Sequence, residues 1–239
     1  MKKRVMAFAN QKGGTGKTTT AINLSIALSM AGKRVLLVDI DPQANSTSGV
    51  GIDKTKVALS TYDVLIEETP IADVLMSNLE GKMSILPSNA HLAGAEVELV
   101  SALGREYRLR KALEQIKPEY DFVFIDCPPS LGLLTINALT VANSVIIPVQ
   151  CEYYALEGLS QLLNTINLVQ NNLNPHLEIE GVLLTMADYR TNLTQEVIQE
   201  VRTHFKEKAY QTVIPRNIRL SEAPSFGKSI FIYDKDSIG

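Results

Sequence analysis

The stretch "NQKGGTGKTTT", Asn10 to Thr20, constrains the fold more than any other part of the chain. It lies between a short apolar run, "VMAF" (Val5 to Phe8), and a helical pattern that begins at Thr18. It must therefore join a strand to a helix. Glycines at 13, 14 and 16 let the backbone turn tightly and aim successive N–H groups at an anion, and the helix that follows contributes the positive end of its dipole. A phosphate-binding loop ordinarily reads G-x-x-x-x-G-K-[ST]. Gly16, Lys17 and Thr18 supply the end of that pattern, but Gln11 stands where the first glycine belongs, and a second lysine, Lys12, follows it.

The apolar runs "RVLLVDID", "FVFIDCPP", "SVIIPVQ" and "EGVLLTM" repeat the design of the first strand. Such runs lack alternation, which is the pattern of strands covered on both faces. Between them lie "LRKALEQI", "LLTINALTVA", "LEGLSQLLNTINLVQ" and "TQEVIQEVRTHFKEK", all helical in period. In the first helix Ile22, Ile26 and Ser29 share a face beside Ala21, Leu24 and Leu28, and Gly32 is its expected stop. The alternation predicts an α/β fold: one doubly wound, mostly parallel sheet with helices on both faces, of the P-loop NTPase type. With no repeat, linker or low-complexity tract, residues 1–239 are expected to form one domain, and Val57 to Met83, the least regular part, a local excursion from the sheet. "YDKDSIG" does not read as a finished domain edge and leaves room for a further helix beyond Gly239.

Composition narrows the function classes. No apolar run approaches the roughly 18 residues of a spanning helix, and the basic-then-apolar N-terminus is too short for a signal peptide. Cys127 and Cys151 lack metal spacing and read as small buried hydrophobes, while His91, His176 and His204 are scattered. A net charge of −3 argues against a strongly basic nucleic-acid binder, but the charge is uneven. Asp63 to Glu98 holds seven acids against Lys82 alone; Arg202 to Lys228 holds six bases against Glu207 and Glu222. By charge alone the late segment reads as a mixed solvated surface, with a basic face as the alternative.

The residue types at the strand ends suit triphosphate chemistry. Gly13, Gly14, Thr15 and Gly16 form the cradle; Lys17 is placed for the β- and γ-phosphates, the Thr18 hydroxyl for Mg²⁺, and Thr19 for the α-phosphate. "FVFIDCPP" delivers Asp126, an acid after four apolar residues, to hold Mg²⁺ through water. "LLVDIDPQ" delivers Asp41, which can orient or deprotonate an attacking water, and Asp39, which either supports the magnesium shell or caps the strand end. No N-K-x-D segment is present, so ATP is expected rather than GTP. A metabolic kinase would need a lid or acceptor pocket, and no segment reads as one.

"KGGTGKTT", "VDIDPQ" and "FIDCPPS" resemble the deviant Walker A ATPases, and "IPVQCEYYALEGLSQLLNTI", "TMADYRTNL" and "IPRNIRLSEAPSFGKSI" narrow the likeness to chromosomal ParA (Soj) partition proteins, over nearly the whole chain. The first motif is shared with MinD-like and nitrogenase iron proteins; the D-P-Q segment and the late motifs are not. Met1 leads directly into the first strand, so the N-terminal helix-turn-helix domain of larger plasmid relatives is not expected. The resemblance implies slow, partner-stimulated ATP hydrolysis. It makes Lys12 the signature lysine that reaches the other subunit's phosphates in an ATP-dependent homodimer, with Gly13 small for that approach. It makes Asp41 the hydrolytic acid of the first switch and Asp126 to Pro129, including Pro128, the second switch. Pro215, Arg216 and Asn217 would lie near the adenine, and Arg190 and Arg219 would bind double-stranded DNA without sequence preference. A ParB-type centromere-binding partner, a cytoplasmic, nucleoid-associated location and no membrane partner are implied. The alternative is an orphan ParA-like or MinD-like ATPase that positions a protein cargo on nucleoid or membrane.

Overall fold

The computed structural model describes residues 4–77, 83–152 and 157–239. The first three residues, Glu80 and Lys82 of the acidic stretch, and Leu156, where one helical pattern begins, lie outside that range. Eight strands form one sheet: β1 (Arg4–Phe8), β2 (Val35–Asp39), β3 (Met76–Ser77), β4 (Ser84–Leu86), β5 (Phe122–Asp126), β6 (Ser144–Gln150), β7 (Glu178–Ala187) and β8 (Ala209–Pro215). Their order is β3-β4-β2-β5-β1-β6-β7-β8. All neighbours are parallel except β3 with β4. The mostly parallel α/β sheet agrees with the expectation from the apolar runs.

Alternation along each strand divides the interior in two. Val5 and Ala7 of β1, Leu36 and Val38 of β2, and Val123 and Ile125 of β5 face one core. Met6 and Phe8, Val35 and Leu37, and Phe124 face the other. The first core is covered by α3 (Thr61–Leu65), α4 (Ile71–Val74), α5 (Leu92–Glu98), α6 (Arg108–Ile116), α7 (Leu133–Val141), α8 (Glu157–Asn172) and α9 (Asn192–Phe205). The second lies beneath α1 (Lys17–Met30) and the residues after α2 (Asn45–Gly49). Two short helices, α10 (Ile218–Glu222) and α11 (Ile230–Tyr233), follow the last strand. Phe8 and Phe124 meet edge to face at 5.6 Å beneath α1, fully buried, and each contributes about 2–3 kcal/mol of apolar burial.

Local chemistry sets the element ends. Gly16, at φ 86°, enters α1, a backbone turn that a side chain would strain. Gly32, at φ 77°, ends it, with the Gly32 and Lys33 amides bonded back to Ser29 and Leu28 carbonyls. Ser60 and Asp63 form a reciprocal cap at the start of α3. The irregular segment after Val57 holds α3, α4 and the antiparallel edge strand β3. The edge strands β3 and β8, and β4 beside β3, do not stand out as apolar runs. β4 has three residues, and β8 is half-exposed along most of its length.

Candidate functional site

Because the central strands run parallel, the loops after β1, β2, β5, β6, β7 and β8 gather at one end of the sheet, where open α/β sheets bind ligands. The glycine loop follows β1. Gly14 (φ 72°) and Gly16 (φ 86°) use backbone angles that favour glycine. Gly13 does not, and a Cβ added there meets nothing within 4 Å. Its small size is thus not required by its own subunit. Two residues that sequence reasoning missed shape the loop. Asn10, buried, donates Nδ2–H to the Pro148 carbonyl at 2.7 Å and accepts the Lys12 amide at 3.0 Å. Thr185, on β7, donates its hydroxyl to the Thr15 carbonyl at 2.9 Å. Both join the loop to strands more than a hundred residues away, so no local pattern announces them.

The two lysines of the loop differ in surroundings. Lys17 is buried, and among the described residues its ammonium makes one hydrogen bond, to the Lys12 carbonyl at 3.3 Å. Burial lowers its pKa, opposed by the charges of Asp126, Cys127 and Asp41. Lys12 carries a side chain 41% exposed and bonds Glu152 at 3.0 Å. Arg216 approaches the same carboxylate at 3.6 Å.

Below the loop, Asp39 and Asp126 are register partners at the ends of β2 and β5, both fully buried. Burial drives both carboxyls above the ordinary range. For Asp39 the Asp126 charge adds to the rise; for Asp126 the Thr18 and Ser46 hydroxyls and Lys17 oppose it. Ser46 donates to Asp126 Oδ2 at 2.8 Å. Thr47 donates both its amide and its hydroxyl to Asp39 Oδ2 at 2.8 Å, and Asp39 Oδ1 accepts the Asp41 amide at 3.2 Å. The loop from Asp39 to Thr47 is thus fastened to two strand ends by two adjacent hydroxyl residues. Both Asp39 oxygens accept hydrogen bonds from that loop. Thr47 Oγ1 also accepts the Ser88 amide at 2.9 Å, and the Ser88 hydroxyl donates to the Asp41 carbonyl at 2.8 Å. The Asp41 carboxylate accepts the Gln43 amide at 2.8 Å. Ser46, Thr47 and Ser88 were not singled out in the sequence, although "NST" directly follows "DPQA".

The segment after Asp126 begins with buried Cys127 and Pro128 and emerges at exposed Pro129. Glu96 of α5 accepts the Leu133 amide at 2.9 Å and so holds the start of α7 just beyond it. Both cysteines are free and buried; burial raises the Cys127 thiol and lifts Cys151 to about 11. Among the described residues no cluster of His, Cys, Asp and Glu suits a transition metal.

The remaining sequence-predicted residues lie on neighbouring loops. Pro215 ends β8, beside Ala187 at the end of β7. Asn217 caps α10, accepting the Arg219 amide at 2.8 Å. Arg190 and Arg219 follow these adjacent strand ends but do not join the glycine-loop cluster. Arg190, 86% exposed, forms a two-pronged pair with Asp188, and Arg219 pairs with Glu222 and Asp234. An apolar cavity of about 480 Å³ lies beside α1, against Leu24, Tyr210, Ile214 and Phe231, with Asp234 and Lys235 also on its wall; Thr19 lines it, but Lys12, Lys17, Asp39, Asp41 and Asp126 do not.

Comparison with known proteins settles the lineage. The family described as AAA domain matches residues 3–179. The chain is 59% identical over 236 residues to the sporulation initiation inhibitor protein Soj of Bacillus subtilis, covering 99% of this chain and 93% of that protein. It is 52% identical over 238 residues to the chromosome partitioning protein ParA of Caulobacter vibrioides, covering 99% and 89%. This chain belongs to the Soj/ParA family of chromosome-partitioning ATPases. A plasmid partition protein from Borrelia burgdorferi superposes with a TM-score of 0.78 at 27% identity, over 97% of this chain and 99% of that one. A Mycobacterium smegmatis structure named cobyrinic acid a,c-diamide synthase, with bound ATP analogue and magnesium, superposes with a TM-score of 0.86 at 42% identity, over 98% and 96%. No described helix of this Soj/ParA member is long and apolar enough to cross a membrane.

Proposed function

We propose that this protein is an ATP-driven DNA-partition switch. ATP and Mg²⁺ close a homodimer, the dimer binds double-stranded DNA without sequence preference, and a ParB-type partner stimulates slow hydrolysis that releases it, in the cytoplasm and on the nucleoid. One observation carries the proposal: the loop's two lysines face different surroundings, Lys17 inward towards Asp126 and Asp41, Lys12 outward onto a surface carboxylate.

The residues present fit a magnesium nucleotide. Among the described residues no carboxylate is bonded to the buried Lys17 ammonium, a costly state that an anion relieves. Among the described residues, buried Thr15 Oγ1 and Asp126 Oδ1 find no hydrogen-bond partner, unusual for groups at a closed, finished site. Thr18 and, through water, Asp126 would hold the magnesium, which supplies charge neutralisation at the phosphates when bound. Amides of residues 13–16 and the start of α1 orient the phosphates, and Thr19 is next along the helix. Asp41, buried and held by the Gln43 amide, is the acid assigned to the attacking water. Pro215, Arg216 and Asn217 flank the base side.

Lys12 is assigned to the partner subunit's nucleotide, where a second cation counters charge on the transferring phosphoryl group, as an arginine finger does. Two lysines facing each other across a dimer repel unless an anion lies between them, so closure depends on the triphosphate. The open space at Gly13 supports a close approach from outside the subunit. The Ser46–Asp126 and Thr47–Asp39 bonds tie the first switch to the strand ends, so changes at the phosphates reach the Asp39–Thr47 loop. Arg190 and Arg219 are assigned to DNA phosphates; their cis acids must be exchanged for phosphate oxygens, which makes binding strongly salt-dependent. Sedimentation with ADP, ATP and a slowly hydrolysed analogue, with and without DNA, tests the proposal. A dimer only with triphosphate, and DNA binding only by that dimer, is expected; DNA binding by the ADP form overturns it.

A further inference from the structure

The proposal that Lys12 serves the partner's nucleotide leaves one contact unexplained, the carboxylate that holds it in the free subunit. Glu152 stands just after β6, accepts two side-chain donors and faces a second cation. Lys12 Nζ reaches Oε2 at 3.0 Å, Gln150 Nε2 donates to Oε1, and Arg216 approaches Oε1 at 3.6 Å. The Lys12 backbone is fixed on both sides, its amide by Asn10 Oδ1 at 3.0 Å and its carbonyl by Lys17 Nζ at 3.3 Å. The part of Lys12 free to choose a partner is therefore its side chain, and Glu152 sets where that side chain points.

We infer that Glu152 is a positioning residue that keeps Lys12 in cis until a partner's triphosphate takes its place. The inference rests on the assignment of Lys12 made above. A lysine that must leave a carboxylate makes closure harder at a given ATP concentration, and only an anion of comparable charge density compensates. Arg216, on the base side of the site, shares the same carboxylate, so Glu152 links the signature lysine to the nucleotide-flanking loop. Both members of the Lys12 pair are about two-fifths exposed, so the exchange is shallow and reversible rather than a buried lock.

The test is a titration with a slowly hydrolysed ATP analogue, followed by sedimentation, on wild type, Glu152→Gln, Glu152→Asp, Lys12→Ala, and Lys12→Ala combined with Glu152→Gln. Removing the pair should lower the analogue concentration at half-dimerisation by about two- to fivefold, the worth of one exposed pair. Glu152→Asp, which withdraws the carboxylate by one methylene, should give a smaller shift in the same direction. Analogue affinity measured at protein concentrations too low for dimers should not change, a separation that general damage to the fold would not produce. Glu152→Gln should fail to restore dimers in the Lys12→Ala background. An unchanged or raised midpoint, or restored dimers in the double variant, overturns the role of Glu152. If wild type itself forms no dimer with the analogue, the assignment of Lys12 fails first and Glu152 falls with it; a wild-type dimer with an unmoved midpoint strikes Glu152 alone.

Discussion

The floor and the rim of the site obey different physics. On the floor, Lys17, Asp39 and Asp126 are buried, and hydroxyls at 2.8 Å hold the two carboxylates. At the rim, Lys12 on the loop and, outside the loop cluster, Arg190 and Arg219 on neighbouring loops are exposed cations, each paired with an acid of its own subunit. A buried charge cannot exchange partners cheaply, so the floor is specified once and then waits for its ligand. An exposed pair is worth little, so each acid can be traded for a phosphate, as the proposed function requires. On the proposed function, binding chemistry lies where it is costly to disturb, and switching contacts where exchange is cheap.

The largest effect should come from the floor. Lys17→Ala removes the buried ammonium, and nucleotide affinity measured by calorimetry should fall by about 3 kcal/mol or more, over a hundredfold. Chemical denaturation of the nucleotide-free variant should show no comparable loss, because no carboxylate bonded to Lys17 is left unpaired. A stability loss as large as the affinity loss would make Lys17 a structural residue instead.

Gly13→Val sits between the two regions. Open space around Gly13 predicts a folded monomer within about 0.5 kcal/mol of wild type. Overpacking against a partner should weaken the triphosphate dimer by about 1–3 kcal/mol, seen by sedimentation. A variant that dimerises normally removes the close approach from the account of closure.

Thr47→Val conserves shape on the floor but strips the hydroxyl from Asp39 and from the Ser88 amide. It should destabilise the protein by about 1–3 kcal/mol in urea unfolding, since buried polar partners are left unsatisfied. Hydrolysis should fall more than nucleotide binding, because the Thr47 bonds fix the loop that carries Asp41.

At the rim the expected changes are small in stability and visible only with DNA. Arg190→Ala and Arg219→Ala should each reduce the salt slope of DNA binding by about one, with stability within about 0.5 kcal/mol of wild type. Asp188 adds a pH signature. Its partner Arg190 holds its carboxyl down at about 2. That stabilising contribution is therefore present above the unfolded-state value of about 3.9 and is lost as pH falls towards 2. Asp188→Asn should flatten the acid limb of a stability–pH profile while strengthening DNA binding at neutral pH, because Arg190 no longer has a competing acid.

Much of the floor could be read from the sequence, because its parts are local. A glycine loop between a strand and a helix, and acids closing apolar runs, announce themselves within ten residues. The central strands were legible for the same reason: burial on both faces leaves continuous apolar runs such as "VLLVD" and "FVFID". The supports were not legible. Asn10, Thr185 and Ser88 act through hydrogen bonds to residues distant in sequence, and Glu152 is one exposed acid among many. The half-exposed edge strand β8 was hidden in a mixed sequence, "AYQTVIP", whose apolar and polar residues follow no clean period.

The division between the two lysines is tested most directly by Lys12→Ala, with nucleotide binding and sedimentation measured on the same sample. ATP affinity at low protein concentration should stay near that of wild type, because Lys17 and the floor are intact. The triphosphate-dependent dimer should be absent. A Lys12→Ala protein that still dimerises with ATP, or one that loses ATP affinity as a monomer, would contradict the separation of the loop into an inward lysine for its own nucleotide and an outward one for its partner's.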